Sequence, residues 1–209
     1  MRRQARYKRH MDTPADFWAW FARTVLPVLA RAEVPPAPLI DELDGRVARL
    51  ACAWELGPAP EGRPGWAFAV SFGADLDRLP VAEAVVRCAP PMAGCAVLLG
   101  KPPKQWDGTL NVRSGEEWVH LQTSTWTCRW FTVARGVAIV VVPTDVQGLD
   151  DAEVLSVAEI ALQATLGELT FAQVVRDVSV APADELPPGR GVPLPDLPEH
   201  LHEWLAGHR

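Results

Sequence analysis

The chain has 209 residues, 48% hydrophobic and 22% charged, a balance that suits a folded protein with a substantial core, in one large domain or two small ones. Its formal net charge is −6, but five of the 20 basic residues (Arg2, Arg3, Arg6, Lys8 and Arg9) occupy the first ten positions without an acid, which leaves 15 basic against 26 acidic residues, a formal −11, from Met11 onward. A body that acidic repels phosphate backbones, which argues against nucleic acid as a partner, and no uninterrupted apolar run has the length to cross a bilayer.

The basic stretch 1–12 reads as a disordered, solvated tail; a start at Met11 would remove most of it. Arg2-Arg3, the apolar residues that follow and Ala30-Arg31-Ala32 imitate an export signal. Asp16, Arg23 and Pro27 interrupt the apolar part, so a cytoplasmic location is expected. Thr13 is placed to cap a first helix, with Pro14 in its first turn and Asp16 against the positive end of its dipole. Phe17, Trp20, Phe21, Val25, Val28 and Leu29 recur at helical spacing, and Pro27 predicts a break near Thr24. After Pro35-Pro36, residues 39–46 read as a short second helix.

Then the period changes. Residues 47–56 and 66–72 read as strands joined by the Gly/Pro-rich stretch 57–65. Asp77 is placed to cap a helix with Val81, Ala84, Val85 and Cys88 on its apolar side, and 93–99 reads as another strand. Residues 100–126 form an irregular insert with one further strand at 118–121. Strands at 127–134 and 137–142 flank the turn Arg135-Gly136. Asp150 and Glu153 then make a capping box for a helix that buries Val154, Val157, Ile160, Ala161 and Ala164 and ends at Gly167. Residues 171–180 return as helix and strand, and 182–198 is a proline-rich connection to a terminal helix at 201–205.

The predicted class is therefore α+β: two consecutive β-β-α-β units forming an antiparallel-dominated sheet layer covered by helices, with an N-terminal helix and a short C-terminal one. The expected organisation is a tail 1–12 and a single domain 13–181, with pseudo-repeated halves at about 47–99 and 127–180 and the insert between them. Residues 182–209 follow as connection and terminal helix.

No catalytic residue, cofactor site or metal site is assigned. Gly100-Lys101-Pro102-Pro103-Lys104 lacks the backbone donors of a phosphate cradle, because proline has no N–H. Cys52, Cys88, Cys95 and Cys128 have neither zinc-ligand nor disulfide-framework spacing and read as reduced, buried thiols. His10, His200, His202 and His208 lie near the termini, and His120 alone sits in the body, without a nucleophile motif to pair with it. Trp106, Trp118, Trp126 and Trp130 crowd into the insert and the strand after it. They either fill a core under a long loop or form a partner-binding patch, since tryptophan is enriched at the energetic centres of interfaces.

The opening Phe17-Trp18-Ala19-Trp20-Phe21, the stretch 80–90 ending Cys88-Ala89-Pro90, and the stretch 161–168 ending Leu166-Gly167-Glu168 resemble a family of uncharacterised bacterial proteins that begin with a Phe-Trp-x-Trp-Phe helix. The resemblance implies a cytoplasmic bacterial protein and supplies no catalytic residues; the stretch before the first helix, the proline-rich loops and the tail differ from that family. The function expected is a non-enzymatic protein-binding adaptor, regulator or antitoxin-like partner, its acidic body suiting a basic protein partner. Two alternatives stay open: an enzyme, hydrolytic in type, with an active site built from scattered groups such as His120 and Arg129, and a small-ligand sensor.

Overall fold

The computed structural model describes residues 13–31, 34–60, 65–182 and 191–207, so the basic stretch 1–12 and residues 183–190 of the proline-rich connection lie outside the described residues. The protein is α+β, and four of the six strand pairings among the described residues are antiparallel. Contacts gather it into two compact units, one ending at Gly100 and the other starting at Lys101. The sequence reading has one domain over 13–181 and an appended 182–209. The units differ from it because each β-β-α-β set closes over its own interior, and the C-terminal helix is part of the second one.

In the first unit, α1 (Pro14–Thr24) starts at a capping box: Asp16 N donates to Thr13 Oγ1 at 3.2 Å, and Thr13 N donates to Asp16 Oδ2 at 3.3 Å. The break before Pro27 falls at Val25, and α2 (Leu26–Leu29) follows. The next helix, α3 (Ala37–Arg49), runs three residues past its predicted end and takes in Val47, which continues the buried stripe from Leu43. It stops in a paired C-terminal motif: Ala51, at φ +57°, donates to Ala48 O at 3.0 Å, and Cys52 N donates to Val47 O at 3.3 Å. The strand β1 (Ala53–Pro58) begins only after this turn and pairs antiparallel with β2 (Trp66–Ser71).

The helix α4 (Leu79–Arg87) then carries the chain to β3 (Cys95–Leu99), parallel to β2, giving the order β1-β2-β3. Asp77 does not cap α4. Its N–H donates to Asp75 Oδ1 at 2.9 Å in the preceding turn, and the helix buries Ala82 and Val85 while Val81 is 42% exposed. The centre of the unit is aromatic. Phe68 of β2 lies 4.8 Å from Phe21, 5.7 Å from Trp18 and 5.8 Å from Trp54, ring centre to ring centre. Such edge and stacked pairs add about 0.5–1.5 kcal/mol each to the gain from burial. The indoles are also tied by their N–H groups: Trp18 donates to Val85 O at 2.8 Å, Trp54 to Asp44 Oδ1 at 2.6 Å and Trp66 to Leu29 O at 3.0 Å.

The second unit opens with a strap, 101–107, and a hairpin of β4 (Thr109–Ser114) and β5 (Glu117–Gln122). The predicted strand at 118–121 is thus the second arm of a pair. The first arm has only Leu110 and Val112 to announce it, and Gly115, at φ +59°, makes the turn. A 3₁₀ turn at Thr123–Thr125 leads into β6 (Thr127–Val133), and β7 (Gly136–Val142) returns antiparallel through a turn with Arg135 at φ +65°. Asp150 and Glu153 form the expected capping box at the start of α5 (Asp151–Leu166). That helix buries Val154, Val157, Ala158, Ala161, Leu162 and Leu166; Ile160, predicted to be buried, is 48% exposed, and Ala164 is half-buried.

After Gly167 come α6 (Glu168–Val174) and β8 (Val175–Val180), parallel to β7. A two-residue β9 (Val192–Pro193) pairs with the other edge of β6, so the order is β8-β7-β6-β9. The last helix, α7 (Leu197–Gly207), starts four residues before its predicted first residue and buries Leu197 and Leu201 in the same interior as Val157, Ile139 and Trp126. No single helix among the described residues is long and apolar enough to cross a membrane; α5 and α6, which reach the length together, are bent by 112°. Both units carry the same sequence of elements, a hairpin, a helical crossover and a strand parallel to the hairpin's second arm.

Candidate functional site

The four tryptophans read as a patch do not share a surface. Trp126 is fully buried, and its indole N–H donates to Thr144 O at 3.1 Å. Trp130, on the next inward-facing position but one, is half-buried, with its ring centre 5.8 Å from that of His200 on α7. Trp106 is half-buried in the strap, where it lines a cleft. Trp118 alone is exposed, at 65%.

Alternation along the hairpin explains why. Leu110 pairs with Leu121 and Val112 with Val119, and this face packs on the core of the second unit. The opposite face therefore carries Thr109 against Gln122, Asn111 against His120, and Arg113 against Trp118. The sequence set Trp118 in a strand; without the first arm, its cross-strand neighbours had no visible address. The face is held by its own bonds: Thr109 Oγ1 donates to Gln122 Oε1 at 3.1 Å, and Arg113 Nε donates to Gly115 O at 3.1 Å. The Thr109 N–H, which donates to Asp107 Oδ1 at 2.9 Å, keeps that carboxyl below its ordinary range and fixes the entry to β4. At the tip, Ser114 Oγ lies 3.0 Å from Glu153 Oε2 and 3.1 Å from Gly148 O, so the hairpin is moored to the capping box of α5. Trp118 is thus an exposed indole on a fixed platform, with exposed Glu116 in the turn before its strand.

The groups considered for chemistry are scattered. His120 is exposed opposite Asn111, and Arg129 is half-buried on β6. Glu168 is the buried carboxylate among the described residues, 1% exposed; its Oε2 accepts from Lys101 N at 2.8 Å, and its own N–H donates to Lys101 O at 2.8 Å. With Lys104 N donating to Ala164 O at 2.7 Å, the segment around Lys101-Pro102-Pro103-Lys104 is a strap bound to the α5–α6 junction, and its N–H groups at Lys101 and Lys104 are already engaged. No group of three or more His, Cys, Asp or Glu residues placed to hold a metal occurs among the described residues; His10 and His208 lie outside them.

The cysteines are free, but not all buried: Cys95 and Cys128 are, Cys52 is half-buried, and Cys88 is exposed because the buried side of α4 passes through Ala82 and Val85. Burial pushes the Cys128 thiol up to about 12 from 9.0, and burial also raises Cys95 against a hydrogen bond from the Phe68 backbone. The folded state thus keeps protons that the unfolded chain releases above about pH 9. This stability is complete below that pH and is lost as pH rises toward 12, at about 1.4 kcal/mol per pH unit for Cys128. Urea unfolding from pH 8 to pH 10.5 should show that decline, and Cys128→Ala should flatten most of it; an unchanged slope would remove Cys128 from the account.

The chain matches no family model, no curated protein and no solved structure.

Proposed function

We propose that the chain is a non-enzymatic binding protein, an adaptor, regulator or antitoxin-like partner, that engages another protein through the outer face of the β4–β5 hairpin. One observation carries this reading: Trp118 is 65% exposed on a strand whose other face is core, so no folding requirement accounts for a large indole there. Indoles in such positions anchor interfaces, each supplying roughly 2 kcal/mol or more. The partner is basic around the contact. Glu116 stands in the adjoining turn, the chain as a whole is acidic, and an arginine or lysine over the ring gains cation–π attraction as well. A cytoplasmic setting, in keeping with the bacterial family its Phe-Trp-x-Trp-Phe opening resembles, completes the proposal.

The test is differential capture from native lysate at low salt, comparing the natural chain with Trp118→Ala and with Phe131→Ser, a control at another exposed aromatic residue. A stoichiometric partner should be retained by the control and weakened at least tenfold, about 1.4 kcal/mol, by Trp118→Ala. Capture that tolerates Trp118→Ala, or no stoichiometric partner at all, overturns the proposal.

A further inference from the structure

We infer that β4 accepts an extended segment of a protein partner as an added strand along its outer edge, with aliphatic side chains at alternate positions entering the groove between β4 and α5 and a lysine or arginine beside them. This rests on the reading of the hairpin as a protein-binding element and adds the form of the segment it takes.

The register of the hairpin determines which peptide groups are open. Its turn has two residues, Gly115 and Glu116, so Ser114 and Glu117 are the first hydrogen-bonded pair and the pattern alternates from there. At the far end Gly108 O accepts from Thr123 N at 2.8 Å, in step with that alternation, while Thr109 N turns outward to Asp107 Oδ1 at 2.9 Å. Leu110 and Val112 therefore bond to β5. The peptide groups of Asn111 and Arg113 point away from it and, among the described residues, meet no other partner. Such an edge is a template for a further strand.

A groove of about 400 Å³, within the range of ligand-binding clefts, runs beside this edge. Val112 faces the core and Arg113 the opposite side, yet both line it, so the groove opens along the edge of β4 and not on either face. Its other wall is α5. Leu149, Val157 and Ile160 join Val112 in an apolar lining, and Ile160 is 48% exposed although its place in the helical pattern predicts burial. A strand seated on the edge sends every second side chain into that space. Asp150 and Glu153 stand in the same lining, and their charges suit a basic residue on the incoming segment. The walls are fixed in advance, because Ser114 Oγ lies 3.0 Å from Glu153 Oε2 and 3.1 Å from Gly148 O, so a partner avoids most of the ordering cost.

The probe is the capped peptide Lys-Val-Thr-Val-Thr-Lys, titrated into the full chain while amide exchange is followed by NMR, with Lys-Ser-Thr-Ser-Thr-Lys and Asp-Val-Thr-Val-Thr-Asp as comparisons. In the free chain the Asn111 and Arg113 amides should exchange at least about tenfold faster than those of Leu110 and Val112. The probe should bind saturably, with a Kd on the order of a millimolar, and at about ten times that concentration slow the Asn111 and Arg113 amides at least about fivefold. Both comparison peptides should bind at least about threefold more weakly. Asn111→Pro removes an edge donor that β5 does not use, and Ile160→Ser takes an apolar wall from the groove at an exposed helix position; each should weaken the probe at least about threefold. Trp118→Ala should leave the probe within about twofold, because Trp118 lies on β5, one strand further from this edge, so failure here and failure of the Trp118 contact are separate results. Slow exchange at Asn111 and Arg113 already in the free chain, no saturable binding at about 10 mM, or protection at Trp118 and His120 in their place overturns the inference. So does equal binding of either comparison peptide, indifference to Ile160→Ser, or a larger loss from Trp118→Ala than from Ile160→Ser.

Discussion

Replacing Trp126 with alanine lowers the unfolding free energy of the second unit by about 3–5 kcal/mol, the usual cost of emptying a fully buried large aromatic site. The residue has no exposed surface and belongs to the cluster that includes Ile139, Leu162, Leu194 and Leu197. Its backbone adds to this: Trp126 N donates to Thr123 O at 3.1 Å, and Trp126 O accepts from Leu194 N at 2.9 Å, so the 3₁₀ turn, β6 and the C-terminal segment meet at this residue. Trp126→Phe separates ring from N–H. It keeps most of the volume and gives up the bond to Thr144 O, at about 1–2 kcal/mol. Trp118→Ala, eight residues earlier, changes stability by no more than about 0.5 kcal/mol, because that side chain is mostly in water. Urea unfolding of the three variants decides the matter. Equal losses for Trp118→Ala and Trp126→Ala would mean that the exposed indole is a structural residue and the hairpin face no binding site.

That contrast marks where sequence reading stops. Trp126 and Trp118 are the same residue type in adjoining strand segments, and local pattern gives both as strand aromatics. Which is buried depends on β4, whose six residues offer two apolar positions and one glycine turn. Elements with a chemical signature were legible: Thr13 with Asp16, Asp150 with Glu153, Pro27 as a break, Gly167 as a stop. The end of α3 was not, because its left-handed position is held by Ala51 instead of glycine, at a cost of about 1–2 kcal/mol. With no glycine to mark the stop, Val47 looked like the start of a strand. The face of α4 was misplaced for a related reason: Asp77 resembles a cap, but its amide is bound within the Asp75 turn, so the helix begins later and Ala82 turns inward where Val81 was expected. The strap was legible only in the negative. Its prolines exclude a phosphate cradle, but the partner at the α5–α6 junction lies more than sixty positions away.

Gly167→Ala is the variant that tests the strap, and it should cost about 2–4 kcal/mol. Gly167 sits at φ +78° and ψ 149°, a backbone region that residues with a Cβ scarcely enter. The added methyl would stand 2.8 Å from Pro103 Cδ and 3.1 Å from Pro103 Cγ, atoms of a rigid ring with no rotamer to escape into. Strain in Gly167 is thus converted into displacement of the strap, and the Lys101 and Lys104 amides lose their partners on Glu168 and Ala164. Hydrogen exchange at those two amides should accelerate at least tenfold, about 1.4 kcal/mol of lost protection, while the amides of β7 stay as they are. Glu168→Gln provides the comparison, since its side-chain carbonyl still accepts from Lys101 N and only the charge is gone. If Gly167→Ala exceeds it, close backbone approach is what fastens the strap. The reverse order would place the fastening in the buried carboxylate and make the glycine incidental.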